Sequence, residues 1–178
     1  YSLSGGKYAF NILDSELSLK DISEIKDAEG VVKADGIISG NDLSEAEGML
    51  ELKSSEGKYK DIGYKNIYTT LNVIYKDGKI RINGIGEAKE SSYKNEKLEE
   101  LNFNFRYKDN TVYIDNLYNN SLTLKGYYNI ISGNVNFDFG VRKYKIENIE
   151  LIKEKKVQGY VESITGKAEG NIENLVLK

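Results

Sequence analysis

From Leu71 to Asn83 the chain alternates apolar and polar side chains around an Asp-Gly pair. Few local patterns restrict a fold more tightly, because side chains that alternate with period two belong to strands. Asp77-Gly78 between two such runs predicts a two-residue hairpin, since both central positions of a type I′ turn need positive φ. That loop sets Tyr75 opposite Ile80 and Val73 opposite Ile82, with Leu71 on the same side. Asn72, Lys76, Lys79, Arg81 and Asn83 fall on the other side, and only Ile74 breaks the segregation.

The design recurs. Phe103, Phe105 and Tyr107 alternate with Asn102, Asn104, Arg106 and Lys108. Asp109-Asn110 makes the turn, and Val112 and Ile114 return on the apolar side with Thr111 and Asp115 opposite. Val135, Phe137 and Phe139 alternate with Asn134, Asn136 and Asp138. Leu17 with Leu19, Met49-Leu50-Glu51-Leu52, Leu122 with Leu124, and Tyr144 with Ile146 mark further strands, as do Lys7–Ile12 and Asn174–Leu177. Gly- and Asn-rich breaks come about every ten residues, the spacing of short strands in an all-β fold. The phrase Ile37-Ile38-Ser39-Gly40-Asn41 returns verbatim as Ile130-Ile131-Ser132-Gly133-Asn134, a mark of repetitive β structure. Helix is expected at most for a turn or two in Lys94–Leu101, where Leu98 and Leu101 equally suit the start of the Phe103 strand, and Asp42–Glu47 can form a short turn. No stretch switches composition, so 1–178 is predicted to be a single repetitive β domain, an elongated antiparallel repeat sheet.

Each clear strand has one apolar and one polar face, which implies that one face of the sheet is covered or enclosed. A second sheet could cover it. A sheet folded over itself could enclose it and leave room for an apolar ligand. Periodicity alone does not separate the two.

The chain has no His and no Cys. It therefore lacks the ligands of the usual zinc, iron–sulfur and copper sites, a thiol nucleophile, and the commonest general base. An enzyme and a bound cofactor are not expected. With a net charge of -3 and no polybasic stretch, the chain carries no electrostatic footprint for nucleic acid or an anionic membrane. No apolar run exceeds three residues, against the roughly 20 of a membrane-spanning helix.

The remaining chemistry-bearing residues have plain structural readings. Glu99 and Glu100 are neighbours in a strand and point to opposite faces. Gly84-Ile85-Gly86 lacks the third glycine and the helix of a phosphate loop and reads as a strand end or bulge. Asp77, Asp109, Asn110, Asp115 and Asn116 fit turn chemistry better than the converging oxygens that calcium needs. Tyr75, Tyr107 and Tyr144 fall on apolar faces, and Tyr113 on the opposite one.

Glu16-Leu17-Ser18-Leu19-Lys20-Asp21-Ile22 followed by Ala34-Asp35-Gly36-Ile37-Ile38-Ser39-Gly40 resembles a recurrent phrase of TamB/AsmA-like proteins, a strand and then a G-x-x-x-G strand. The phrase returns as Gly159-Tyr160-Val161-Glu162-Ser163-Ile164-Thr165-Gly166 and then Ala168 to Leu177, with paired hairpins between. The resemblance covers most of the chain. It implies a sheet bent into a U-shaped, taco-like trough with an apolar interior. It also implies a periplasmic place, with an inner-membrane anchor outside this chain. The implied function is shielding lipid acyl chains for phospholipid transport between membranes or for outer-membrane protein assembly.

The implied groove lining is Leu71, Val73, Tyr75, Ile80, Ile82, Phe103, Phe105, Tyr107, Val112, Ile114, Val135, Phe137 and Phe139. The implied partners are phospholipid acyl chains and, through the full-length protein, an outer-membrane barrel protein with periplasmic domains. Leu177-Lys178 is not the aromatic-ended strand of a chain that docks at a barrel. Because the chain starts at Tyr1 and both ends read as strands, it is expected to be a piece of a longer protein, whose open edges invite edge-to-edge self-association. The rival expectations are a structural or adhesive β-solenoid module of a surface or autotransporter protein, a transmembrane-barrel fragment, and an enzyme on an all-β fold.

Overall fold

Strand after strand pairs with its successor in sequence. The computed structural model describes residues 2–4, 6–21, 27–42, 44–93, 96–145, 159–171 and 174–177. It divides into two compact units, Tyr1–Asp109 and Asn110–Lys178.

Unit 1 is an antiparallel meander of β1 (Ser2–Ser4), β2 (Lys7–Ser18), β3 (Ala28–Asp42), β4 (Glu45–Tyr59), β5 (Ile62–Lys76), β6 (Lys79–Tyr93) and β7 (Glu96–Lys108). A 3-10 turn, Leu19–Asp21, follows β2. Each strand pairs with the next and, among the described residues, none closes back on β1. The sheet is open.

The predicted hairpin is present. Asp77 and Gly78 both take positive φ, 49° and 75°, and Tyr75 faces Ile80 while Val73 faces Ile82. Asp109 and Asn110 repeat the geometry with φ of 49° and 57°. Gly78 has open space where a Cβ would stand, so Gly78→Ala tests backbone strain alone. It should cost about 1 kcal/mol, which lowers the melting temperature by roughly 2–4 °C in a chain of this size. An unchanged melting curve would refute the strain.

Unit 2 is a second antiparallel meander: β8 (Thr111–Tyr118), β9 (Leu122–Asn129), β10 (Asn134–Lys145), β11 (Tyr160–Asn171) and β12 (Asn174–Leu177). Its sheet is likewise open among the described residues.

Of the two readings of Lys94–Leu101, strand holds from Glu96 onward, and Leu101 pairs with Ala88 on β6; Lys94 and Asn95 lie outside the described residues. Two expectations need correcting. Gly84 and Gly86 are neither a strand end nor a bulge. They sit mid-strand in β6, in unbroken register with Leu71 and Thr69. The repeated pentapeptide is not a structural repeat. Ile37–Asn41 lies inside β3, whereas Ile130–Gly133 is the loop between β9 and β10. In the second copy Asn129 Oδ1 accepts hydrogen bonds from the Ser132 backbone N–H at 2.8 Å and from its hydroxyl at 3.0 Å. Gly133 there has φ of 69°. Neighbouring residues, not the five letters, choose the conformation. Of the other strand marks, Leu19 falls in the 3-10 turn, and Ile146 lies outside the described residues.

Candidate functional site

In unit 1 the strand register aligns apolar side chains into rows that cross the sheet. One row runs Phe10, Ile38, Gly48, Val73, Ile82, Tyr107 from β2 to β7. The next runs Ile12, Gly36, Leu50, Leu71, Gly84, Phe105, and the third carries Ala34, Leu52, Thr69, Gly86 and Phe103. Ala46, Tyr75 and Ile80 extend the same face toward the Asp77-Gly78 turn, while Ile67, Ala88 and Leu101 extend it the other way. The reverse face is exposed and mainly polar, although Ile37, Met49, Ile74 and Ile85 also stand out on it. It carries the row Glu16, Lys33, Lys53, Tyr68, Glu87, Asn102, and there Lys33 Nζ lies 2.8 Å from Glu16 Oε1 and 3.6 Å from Asp14 Oδ1. The hydrogen bond that Lys33 donates to the Glu16 carboxylate, helped by the Asp14 charge, holds its ammonium above the ordinary range. Such exposed pairs add little to stability.

Glycines keep the apolar face low. A methyl group at Gly84 would overlap the Phe105 ring, and one at Gly86 would meet Phe103 Cζ at 2.6 Å. Both rings of β7 therefore lie over the bare backbone of β6, 6.4 Å apart between centroids. The Leu50 side chain crowds Gly36 and that of Ile38 crowds Gly48 in the same manner. Large side chains fold down over glycines instead of standing up from the sheet.

Unit 2 builds an equivalent face. Val112, Tyr128, Val135 and Gly170 form one row, and Ile114, Gly126, Phe137 and Ala168 the next. Leu124, Phe139 and Gly166 form a third. Tyr113 and Tyr127 pair on the reverse face, ring centroids 6.2 Å apart.

Every one of the 13 residues named from the sequence lies on one of these two faces: Leu71, Val73, Tyr75, Ile80, Ile82, Phe103, Phe105 and Tyr107 in unit 1, and Val112, Ile114, Val135, Phe137 and Phe139 in unit 2. Sequence reasoning missed their companions Phe10, Ile12, Ile38, Leu50, Leu52 and Ile67. The alternation of β4, Gly48-Met49-Leu50-Glu51-Leu52, held the signal for two of them. The glycines under the rings gave none, because their role depends on the partner strand.

Among the described residues neither face has a packed core beneath it. Among the described residues the buried apolar side chains are Ala28, Ala88 and Val135, and no large side chain is fully buried. The apolar faces are half-buried surfaces formed by neighbours within one layer. That is unusual, since a sheet with one greasy face ordinarily hides it against another layer.

Glu99 has φ of 59° at a break in the β6–β7 register, and both Glu99 and Glu100 are exposed. Among the described residues, no three acidic side chains gather where they could hold a metal ion. No described helix is long and apolar enough to cross a membrane. No family model, curated protein or solved structure matches the chain.

Proposed function

We propose that this chain is a trough segment of a TamB/AsmA-like protein that shields lipid acyl chains in the periplasm, serving phospholipid transport or outer-membrane protein assembly through the longer protein. The observation that carries the reading is the pair of broad apolar faces, each on a single open layer in which no large side chain is fully buried among the described residues. Such a surface loses free energy in water at about 25 cal/mol per Å² of apolar area. Hydrocarbon is a partner that relieves this without directional contacts. Each acyl methylene withdrawn from water contributes about 0.8 kcal/mol, so an unbroken apolar wall suffices and no fixed polar site is needed. Rings laid flat over Gly84 and Gly86 suit a ligand that slides. The Lys and Glu row on the reverse face of unit 1 stays in water. The antiparallel meander, in which sequence neighbours pair, also supports this reading over a β-solenoid, whose coils stack in parallel.

Native mass spectrometry with lipid extraction tests the proposal on the purified 178-residue chain expressed in a host with two membranes. Co-purifying phospholipid is expected. A clean apo mass, with no uptake of added phospholipid or fluorescent fatty acid, would overturn it.

A further inference from the structure

At one end of unit 2 the reverse face loses its charge. Charged residues make up 30% of the chain, yet a hollow of about 220 Å³ there is lined by Thr111, Tyr113, Tyr127, Asn129, Ser132 and Asn134. Among the described residues the lining consists of hydroxyls, amides and two aromatic rings. Charge returns further along β9 and β10, at Lys125 opposite Asp138.

The two halves of the hollow are built differently. Tyr113 and Tyr127 face each other across β8 and β9, their rings 6.2 Å apart and inclined at 50°. The other half is a hydrogen-bonded frame. Asn129 Nδ2 donates to the buried Thr111 hydroxyl at 2.9 Å, while Asn129 Oδ1 accepts the Ser132 N–H and hydroxyl. Asn171 of β11 donates from Nδ2 to Ser132 O at 2.7 Å, and the Asn134 N–H reaches Ser132 Oγ at 3.3 Å. The loop is thus tied to β8, β9 and β11, which spares a ligand the cost of ordering it. Tyr127 and Asn134 are exposed at this rim.

We infer that this end of unit 2 binds a single neutral sugar ring. One side of a pyranose ring is a sheet of C–H groups, and its rim is hydroxyls. The C–H side suits the electron-rich face of a tyrosine ring. Each sugar hydroxyl both donates and accepts, as do amides and hydroxyls, whereas an ammonium only donates and a carboxylate only accepts. A nucleotide would also stack, but its phosphate calls for basic groups, and the lining supplies none. The hollow is smaller than the roughly 300–1,000 Å³ of a drug-sized pocket, so one ring is the unit it takes. It lies on the face opposite the apolar one and is independent of the lipid reading.

Nuclear magnetic resonance of the intact, isotope-labelled chain tests this with glucose, galactose, N-acetylglucosamine and cellobiose, and with adenosine monophosphate as the contrasting probe. At least one of the sugars should shift the backbone amide signals of Ser132 and Asn134. Cellobiose separates a glycan end from a free monosaccharide, and binding of either supports the site. Tyr127→Ala should weaken the binding by about fivefold. Tyr127→Phe keeps the ring and should retain it, and both variants should take up lipid as the unmodified chain does. The amide shifts of the unmodified chain decide the matter even where Tyr127→Ala fails to fold. No shift at these amides with any sugar, shifts from adenosine monophosphate alone, or undiminished binding by a folded Tyr127→Ala would each overturn the site.

Discussion

Phe105→Asp is expected to abolish lipid uptake by the chain while leaving unit 1 folded. Phe105 belongs to the row Leu71, Gly84, Phe105 on the apolar face and is only half-buried. Its ring covers Gly84, and among the described residues no large side chain is fully buried around it. Removing the ring should cost about 2 kcal/mol, roughly half of what a fully buried phenylalanine loses. The new carboxylate can stay hydrated, since the face is open to water. In the lipid-bound state that same carboxylate would stand against hydrocarbon, where an unpaired charge costs several kcal/mol.

Val135→Asp is the matched contrast. Val135 is 5% exposed between Tyr128 and Gly170, so its carboxylate would be desolvated, and unit 2 should unfold or lose its cooperative melt. The measurement is thermal denaturation beside native mass spectrometry with bound lipid. Should Phe105→Asp unfold unit 1 as thoroughly as Val135→Asp unfolds unit 2, the apolar face would be the inside of a closed core, and the trough reading would fail.

How much of this the sequence revealed depends on whether a feature lives in one strand or between two. Alternation and the Asp77-Gly78 turn lie within a short stretch, and they placed Tyr75 against Ile80 and Val73 against Ile82 correctly. The helical flavour of Lys94–Leu101 came from Glu, Lys and Leu, all good helix formers. Pairing overrode it, for Leu101 meets Ala88 on the apolar face and Glu99 is set into a register break. The two copies of Ile-Ile-Ser-Gly-Asn diverge because the first lies inside the 15-residue strand β3, while the second is closed into a loop by Asn129.

The register break between Ala88 and Ser91 was invisible for the same reason. Positive φ at Glu99 has no sequence mark at all, and at Asn66 only the weak tolerance of asparagine for that region. The lining residues were legible because each sits in its own strand's alternation. The openness of the face was not, because exposure depends on whether a second layer exists, and periodicity is identical either way.

Gly126→Ala should be among the most damaging small substitutions in unit 2. Gly126 lies mid-strand on β9 in the row Ile114, Gly126, Phe137, Ala168. Its φ of 153° is a region that side-chain-bearing residues rarely adopt, and an added methyl would run into the backbone oxygen of Asn136 and the Cα of Phe137. Backbone on the paired strand cannot step aside without breaking the ladder, so strain and overpacking add to about 3 kcal/mol or more. Gly140 on β10 supplies the control. There the nearest atom is Thr123 Oγ1 at 2.7 Å, the end of a rotatable side chain, and no positive φ is involved. Gly140→Ala should therefore cost under about 1 kcal/mol.

Paired urea titrations separate the two, since the midpoint shifts while the slope holds when only stability changes. Equal midpoints would mean that β9 and β10 do not approach as closely as the register requires. The consequence reaches function through Phe137, whose Cδ1 lies 2.7 Å from where the Gly126 methyl would stand. A chain that survived Gly126→Ala would have to lift that ring off the sheet, raising an obstacle on the surface where the proposal needs a low wall. Lipid uptake should then fall even in molecules that remain folded.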